Sequence, residues 1–126
     1  MSYDIEQKSN GNTFAPMGGN PSGYVIFTPE GRLSFMFSAE DRQPGSSAEE
    51  RSVLLNSMIV YTGIHLGDPT IIQVDMAWNP EWVGTEQTRF FAIEDDVLTV
   101  HTPWRMMPNW PEEGLTRSIV RFQRCR

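Results

Sequence analysis

The run Gly23 to Phe37, GYVIFTPEGRLSFMF, sets two β-rich stretches on either side of Thr28-Pro29-Glu30-Gly31. Pro29 presets the negative φ of the first turn position and Gly31 can take the left-handed conformation that closes a type I turn with a bulge, so the run predicts a hairpin. Beyond it Leu33, Phe35 and Phe37 alternate with Arg32, Ser34 and Met36, the period of a half-buried strand. The polar loop Asp41 to Ser47 ends in Ser46 and Ser47, each with a glutamate three residues on. That is a capping box, and it predicts a short helix from about Ala48 to Ser57. From Met58 the period returns to two. Met58, Val60, Thr62, Ile64 and Leu66 fall on one face, and Ile59, Tyr61, Gly63 and His65 on the other. Gly67-Asp68-Pro69 predicts a turn into a strand from Thr70 to Trp78, in which Ile72, Val74, Met76 and Trp78 share a face. Asn79-Pro80-Glu81 turns the chain again. Further strands follow over Thr85 to Ile93, Val97 to Thr102 and Leu115 to Arg124. Short strands in a meander with one helix predict an all-β protein, either an antiparallel up-and-down barrel or a sandwich, and a meander closes most simply as a barrel.

Composition narrows what such a fold can do. The chain has 126 residues, 39% hydrophobic and 21% charged, which is one domain with material for a core. Its net charge of -6 argues against nucleic acid and anionic membranes as partners. One cysteine, Cys125, excludes a disulfide scaffold and a cysteine-rich zinc site. The first twenty residues lack the basic start and apolar core of a secretory signal, and no run reaches bilayer-spanning length, so a soluble cytoplasmic protein is expected. Arg117, Arg121, Arg124 and Arg126 crowd the last stretch and read as a solvated strand face. No G-x-S-x-G, G-x-G-x-x-G or Walker sequence is present, so no nucleotide or other cofactor is expected.

The segment Gly23 to Gly31, GYVIFTPEG, followed by Asn79 to Phe91, NPEWVGTEQTRFF, and by Leu98-Thr99-Val100, resembles the small lipocalin-like domain family of bacteria and fungi. The match covers most of the chain. It implies a single domain over residues 1–126, folded as a lipocalin-like antiparallel barrel around a small apolar cavity. It carries no catalytic set. Such domains usually open with a Gly-Thr-Trp-x-Leu strand ahead of the segment matching Ser2-Tyr3-Asp4-Ile5, and this chain starts at Met1. The first strand is therefore expected to be short or absent, and an uncovered barrel edge of that kind predicts a homodimer.

Candidate chemistry lies in three places. The connection Pro103 to Gly114 carries Trp104, Met106, Met107 and Trp110, which suit a lid over an apolar ligand or packing against the barrel or a second subunit. In the strand around Thr85 to Ile93, Gln87 and Arg89 share one face and Glu86, Thr88 and Phe90 the other. If the apolar face looks inward, Glu86 and Thr88 line the lumen beside Phe90 and Arg89 meets solvent; a bulge at Gly84 reverses this. An inward Arg89 would bind a carboxylate or enolate oxygen, with Gln87 as a second donor. Around a turn centred on Asp68, residues whose numbers sum to about 136 face each other, as order-of-magnitude pairing arithmetic. Tyr61 then opposes Asp75, an acid and base pair or a simple hydrogen bond at the rim. His65 lies nearer Ile71. His101 is expected to face outward, and two isolated histidines make a poor metal site even with Asp75 or Glu86, so no metal is expected.

Two functions follow. One is a cofactor-independent isomerase, cyclase or dehydratase acting on a small hydrophobic metabolite, with Tyr61, His65, Asp75, Glu86 and Arg89 as catalytic candidates. Trp78, Trp82, Gln87, Phe90, Trp104, Met106 and Trp110 are its substrate-binding candidates. The other is a carrier or sensor of a small hydrophobic ligand, which needs only the cavity and the tryptophans. The family's occurrence beside biosynthetic genes tips the expectation toward the enzyme.

Overall fold

The computed structural model describes residues 1–66 and 68–125. Its strands are β1 (Ser2–Gln7), β2 (Thr13–Phe14), β3 (Ser22–Phe27), β4 (Arg32–Ser38), β5 (Met58–Leu66), β6 (Asp68–Ala77), β7 (Glu86–Thr88), β8 (Phe90–Glu94), β9 (Val97–His101), β10 (Arg105–Met106) and β11 (Leu115–Gln123). One helix, α1 (Ala48–Asn56), precedes β5. The strands form two antiparallel sheets, β3-β4-β5-β6-β7 and β2-β1-β11-β9-β8, with β10 added to β11. The expected closed barrel is corrected to this pair of sheets: among the described residues no ladder joins β3 to β1 or β2. The reason lies between β2 and β3, where Pro16, Gly18, Gly19 and Pro21 interrupt pairing. That segment is held instead by Glu40, whose backbone N–H donates to the Met17 carbonyl and whose carboxylate accepts from the Gly19 N–H.

The opposite border is joined. β7 pairs with β6 and β8 pairs with β9, so one stretch of chain leaves the first sheet and enters the second with only Arg89 between. Strands that switch sheets in this way make the corners of orthogonal packings.

Local chemistry accounts for the elements. Gly31 sits at φ +89°, and the Thr28–Gly31 backbone bond of 3.1 Å closes the β3–β4 turn as the sequence predicts. Ser47 accepts from the Glu50 N–H while the Glu50 side chain accepts from the Ser47 N–H, the capping box that starts α1. The helix buries no residue of its own and lies outside the sheets. Of the turn read at Gly67-Asp68-Pro69, Gly67 lies outside the described residues.

The β5–β6 register departs from the simple arithmetic. Thr62 pairs with Met76 but Gly63 pairs with Val74, which leaves Asp75 as an extra residue in a bulge. Beyond it the faces exchange. Ile72 and Val74 are buried, whereas Met76, expected beside them, is exposed and Ala77 turns inward opposite Tyr61. Gly63 is required at this bulge because a Cβ there would collide with the Gln73 carbonyl oxygen.

β1 is six residues long and pairs along its length with β11, from Ser2 opposite Arg121 to Gln7 opposite Thr116. Tyr3 and Ile5 thereby enter the core beside Leu33, Phe35, Phe37, Tyr61, Ile72, Val74, Val120 and Phe122. On its other side β1 is paired by β2 only at Ile5 and Glu6, so its first residues and β3 both border the gap between the sheets.

Candidate functional site

Arg89 occupies the corner between the sheets, its N–H donating 2.8 Å to the Thr70 carbonyl. Gly84, at φ +82°, starts the strand with its N–H on the Val74 carbonyl, and Val74 in turn donates to Thr85. This irregular start selects the reversed alternation. Arg89 is 5% exposed while Phe90 is 47% exposed and Glu86 is also exposed, so the apolar reading that put Glu86, Thr88 and Phe90 inside is corrected.

Arg89 faces a pocket of about 40 Å³. Both sheets build it. Tyr61 from β5 and Tyr3 from β1 bring hydroxyls, Ser118 comes from β11, and Arg105 comes from β10. Phe35, Phe37, Val100 and Val120 supply apolar wall, and Ile59 and Trp82 are half-buried at its border. The guanidinium of Arg89 donates 2.7 Å to the Thr88 carbonyl, and Tyr61 lines the same pocket. Burial raises the pKa of both tyrosines, and the nearby arginines only partly offset it, so each is a neutral phenol near pH 7. Arg105 is pushed down, first by burial and then by Arg89. Its Nε is buried without a hydrogen-bond partner. Among the described residues no Asp, Glu or His lines this pocket and neither arginine has an ion pair.

The tryptophans divide. Pro80–Trp82 forms a 3-10 turn capped by Asn79, whose side chain accepts from the Glu81 N–H. The turn sets Trp82 against Tyr61, with ring centroids 5.3 Å apart, and 5.9 Å from the Arg89 guanidinium. Trp78 packs on Trp82 at 5.0 Å. Trp104 lies instead under Arg117, at 4.6 Å, with Lys8 at 5.9 Å. Trp110 packs edge-on against Phe14 and its indole N–H donates to the Thr116 hydroxyl. Met106 is exposed. The loop therefore puts neither tryptophan on the pocket wall, and the residue that reaches it is Arg105, between Trp104 and Met106.

The remaining candidates stand apart from one another. Asp75 is on the outer face of its sheet, accepting from Thr62 at 2.6 Å and from Arg32 at 2.7 Å, and these donors hold its carboxyl below the usual range. The Tyr61–Asp75 opposition is corrected: the register shifts between β5 and β6 make Ala77 the partner of Tyr61. His65 pairs with Ile72 and packs edge-on against Phe91 at 5.9 Å, roughly 13 Å along β5 from Tyr61 at strand spacing. Gln87 is half-buried and spends its amide on the Thr85 hydroxyl. Among the described residues no three His, Cys, Asp or Glu side chains are grouped to hold a metal.

A larger groove of about 430 Å³ opens along the unpaired border, between β3 and the β8–β9–β11 side. Tyr24, Val25, Phe27, Ile93, Leu98 and Phe122 line it, with the Asp96–Arg124 ion pair at its rim, 3.6 Å apart. Phe122 packs on Phe35, centroids 6.2 Å apart, and Phe35 packs on Tyr61 at 5.0 Å. One layer of rings thus separates the groove from the arginine pocket.

Sequence reasoning named Tyr61, Arg89 and Trp82 but missed Arg105, Tyr3 and Ser118. Arg105 hid in a loop read for its aromatic residues, and Tyr3 in a segment not read as a strand. The alternation Trp104, Arg105, Met106 is the signal that could have found the first.

Two antiparallel sheets packed around a common core define an all-β protein with two separate hollows, an apolar groove and a more polar pocket. The family model described as a lipocalin-like domain matches residues 1–125, and the chain belongs to that family. No curated protein and no solved structure matches it.

Proposed function

We propose that the protein binds a small hydrophobic molecule at the open border between its sheets, as a carrier or sensor. The carrying observation is the groove of about 430 Å³, walled mainly by aliphatic and aromatic side chains and within the size range of ligand pockets, about 300–1,000 Å³. The fold class supports this reading, since lipocalin-like domains are built around small-molecule sites. We take the protein as cytoplasmic, which the free Cys125 supports; among the described residues no helix is long and apolar enough to cross a membrane. A second reading, turnover of the bound molecule without a cofactor, draws on one arrangement. Tyr61 and Arg89, which line one pocket, are donors suited to steadying an enolate oxygen. The pair lacks a carboxylate or imidazole beside it among the described residues, so binding without turnover is the reading the geometry supports best.

The test uses a neutral apolar fluorophore, N-phenyl-1-naphthylamine, titrated into the protein. Saturable binding of one equivalent is expected, weakened at least several-fold by Ile93→Glu on the exposed groove wall. Unsaturable partitioning, or affinity indifferent to that substitution, would remove the reading.

A further inference from the structure

We propose that Arg89 and Arg105 form the seat of a single carboxylate, carried by a small organic acid whose apolar part reaches toward Trp82 and the ring layer. The inference goes beyond the groove reading: it assigns a second site, built from different residues and separated from the groove by the ring layer. A guanidinium is normally buried with an acid, because leaving a cation desolvated and unpaired costs several kcal/mol. Here two share one pocket, and no acidic side chain reaches it among the described residues.

Their hydrogen bonds are equally unfinished. Arg89 spends one N–H on the carbonyl of its own neighbour, Thr88, and Arg105 leaves its Nε buried and unpartnered. Orphaned buried donors are uncommon in native proteins and ask for an occupant. The fork of a guanidinium matches the two oxygens of a carboxylate, and the neutral Tyr61 and Tyr3 phenols can add O–H donors to the same anion. The net charge of -6 makes the placement more pointed. Only ten of the residues are Lys or Arg, and two of those are spent inside. The pocket volume of about 40 Å³ suits a small planar head group and excludes a bulky one.

The probe pair is 4-phenylbutyrate and its amide, 4-phenylbutyramide, equal in shape and different in charge at pH 7. Calorimetric titration of the unmodified protein is expected to show the acid binding at least tenfold more tightly than the amide. Arg105→Gln and Arg89→Gln should each cut that preference to about threefold or less, and Arg105→Lys should restore part of it. Retention of the thermal transition checks that each variant folds. Equal affinities for acid and amide, with N-phenyl-1-naphthylamine still bound in the groove, would overturn the carboxylate seat and leave the binding reading standing. Failure of all three probes would remove both. Thermal stabilisation by sodium chloride or inorganic phosphate alone equal to that by 4-phenylbutyrate would also overturn it, assigning the seat to a free inorganic anion.

Discussion

Replacing Arg105 by methionine should make the unliganded protein more stable. Methionine retains an unbranched stem of similar reach and removes the charge, so most of the packing along the side chain survives. What is lost is a half-buried cation whose Nε has no partner. At an effective dielectric constant of about 20, two like charges sharing one small pocket repel by about 1–2 kcal/mol. The missing hydrogen bond adds about 1–3 kcal/mol of unrecovered desolvation. Because Arg105 is partly exposed, water screens much of both, and a net gain of about 1–2 kcal/mol is expected. For a domain of this size that is a rise of about 4–8 °C in Tm. Urea unfolding followed by tryptophan fluorescence measures it, with an unchanged slope showing that the same surface is exposed on unfolding. Arg105→Lys keeps the charge and should show little gain. A loss of stability beyond about 0.5 kcal/mol in Arg105→Met would refute the reasoning, because the guanidinium would then be a brace rather than a cost retained for a ligand.

Phe35, 2% exposed and packed on both Tyr61 and Phe122, should cost about 3–5 kcal/mol when replaced by alanine, measured by the same unfolding assay. A loss under about 1.5 kcal/mol would mean that the ring layer between groove and pocket is not packed as described. His101 is held below its ordinary pKa of 6.5, chiefly by burial and then by Arg117 and Arg121. The unfolded chain therefore takes up the proton first, so this contribution is full above pH 6.5 and declines as pH falls through the lowered folded value. His101→Gln should gain on the unmodified protein between about pH 7.5 and about pH 5.5 in thermal unfolding; a relative loss there would contradict the sign.

Much of the fold was legible where one local rule governs one element. The β3–β4 hairpin follows from Pro29 and Gly31, and α1 from Ser47 and Glu50. The site was less legible because it depends on where regular alternation stops. An extra residue at Asp75 exchanges the faces of the end of β6 and turns Met76 out, and together with a second register shift between His65 and Leu66 it separates Tyr61 from Asp75. Counting from a turn cannot detect that, since a bulge adds a residue without a distinctive side chain. Gly84 did give notice, and the alternative it offered is the one that places Arg89 inside. Tyr3 belonged to a strand whose partner, β11, lies more than a hundred residues away, a pairing that no local pattern announces.

The corner at Arg89 ties the architecture to the chemistry. A residue inside a sheet points in or out by parity, and a strand interior that is apolar by parity would exclude an arginine there on energetic grounds. Arg89 keeps the inward parity of Gln87 and Phe91, at the point where the chain passes from β7 on β6 to β8 on β9. Its side chain lies in a pocket lined by Tyr61 from one sheet and Tyr3 from the other. Arg105 arrives from the opposite direction through a two-residue strand at the start of a long connection, a place that tolerates substitution better than the sheet centre. One arginine is thus built into the frame and the other is carried by a loop. If members of the family differ in what they bind, Arg105 is the position through which the pocket changes charge while the fold at Arg89 stays the same.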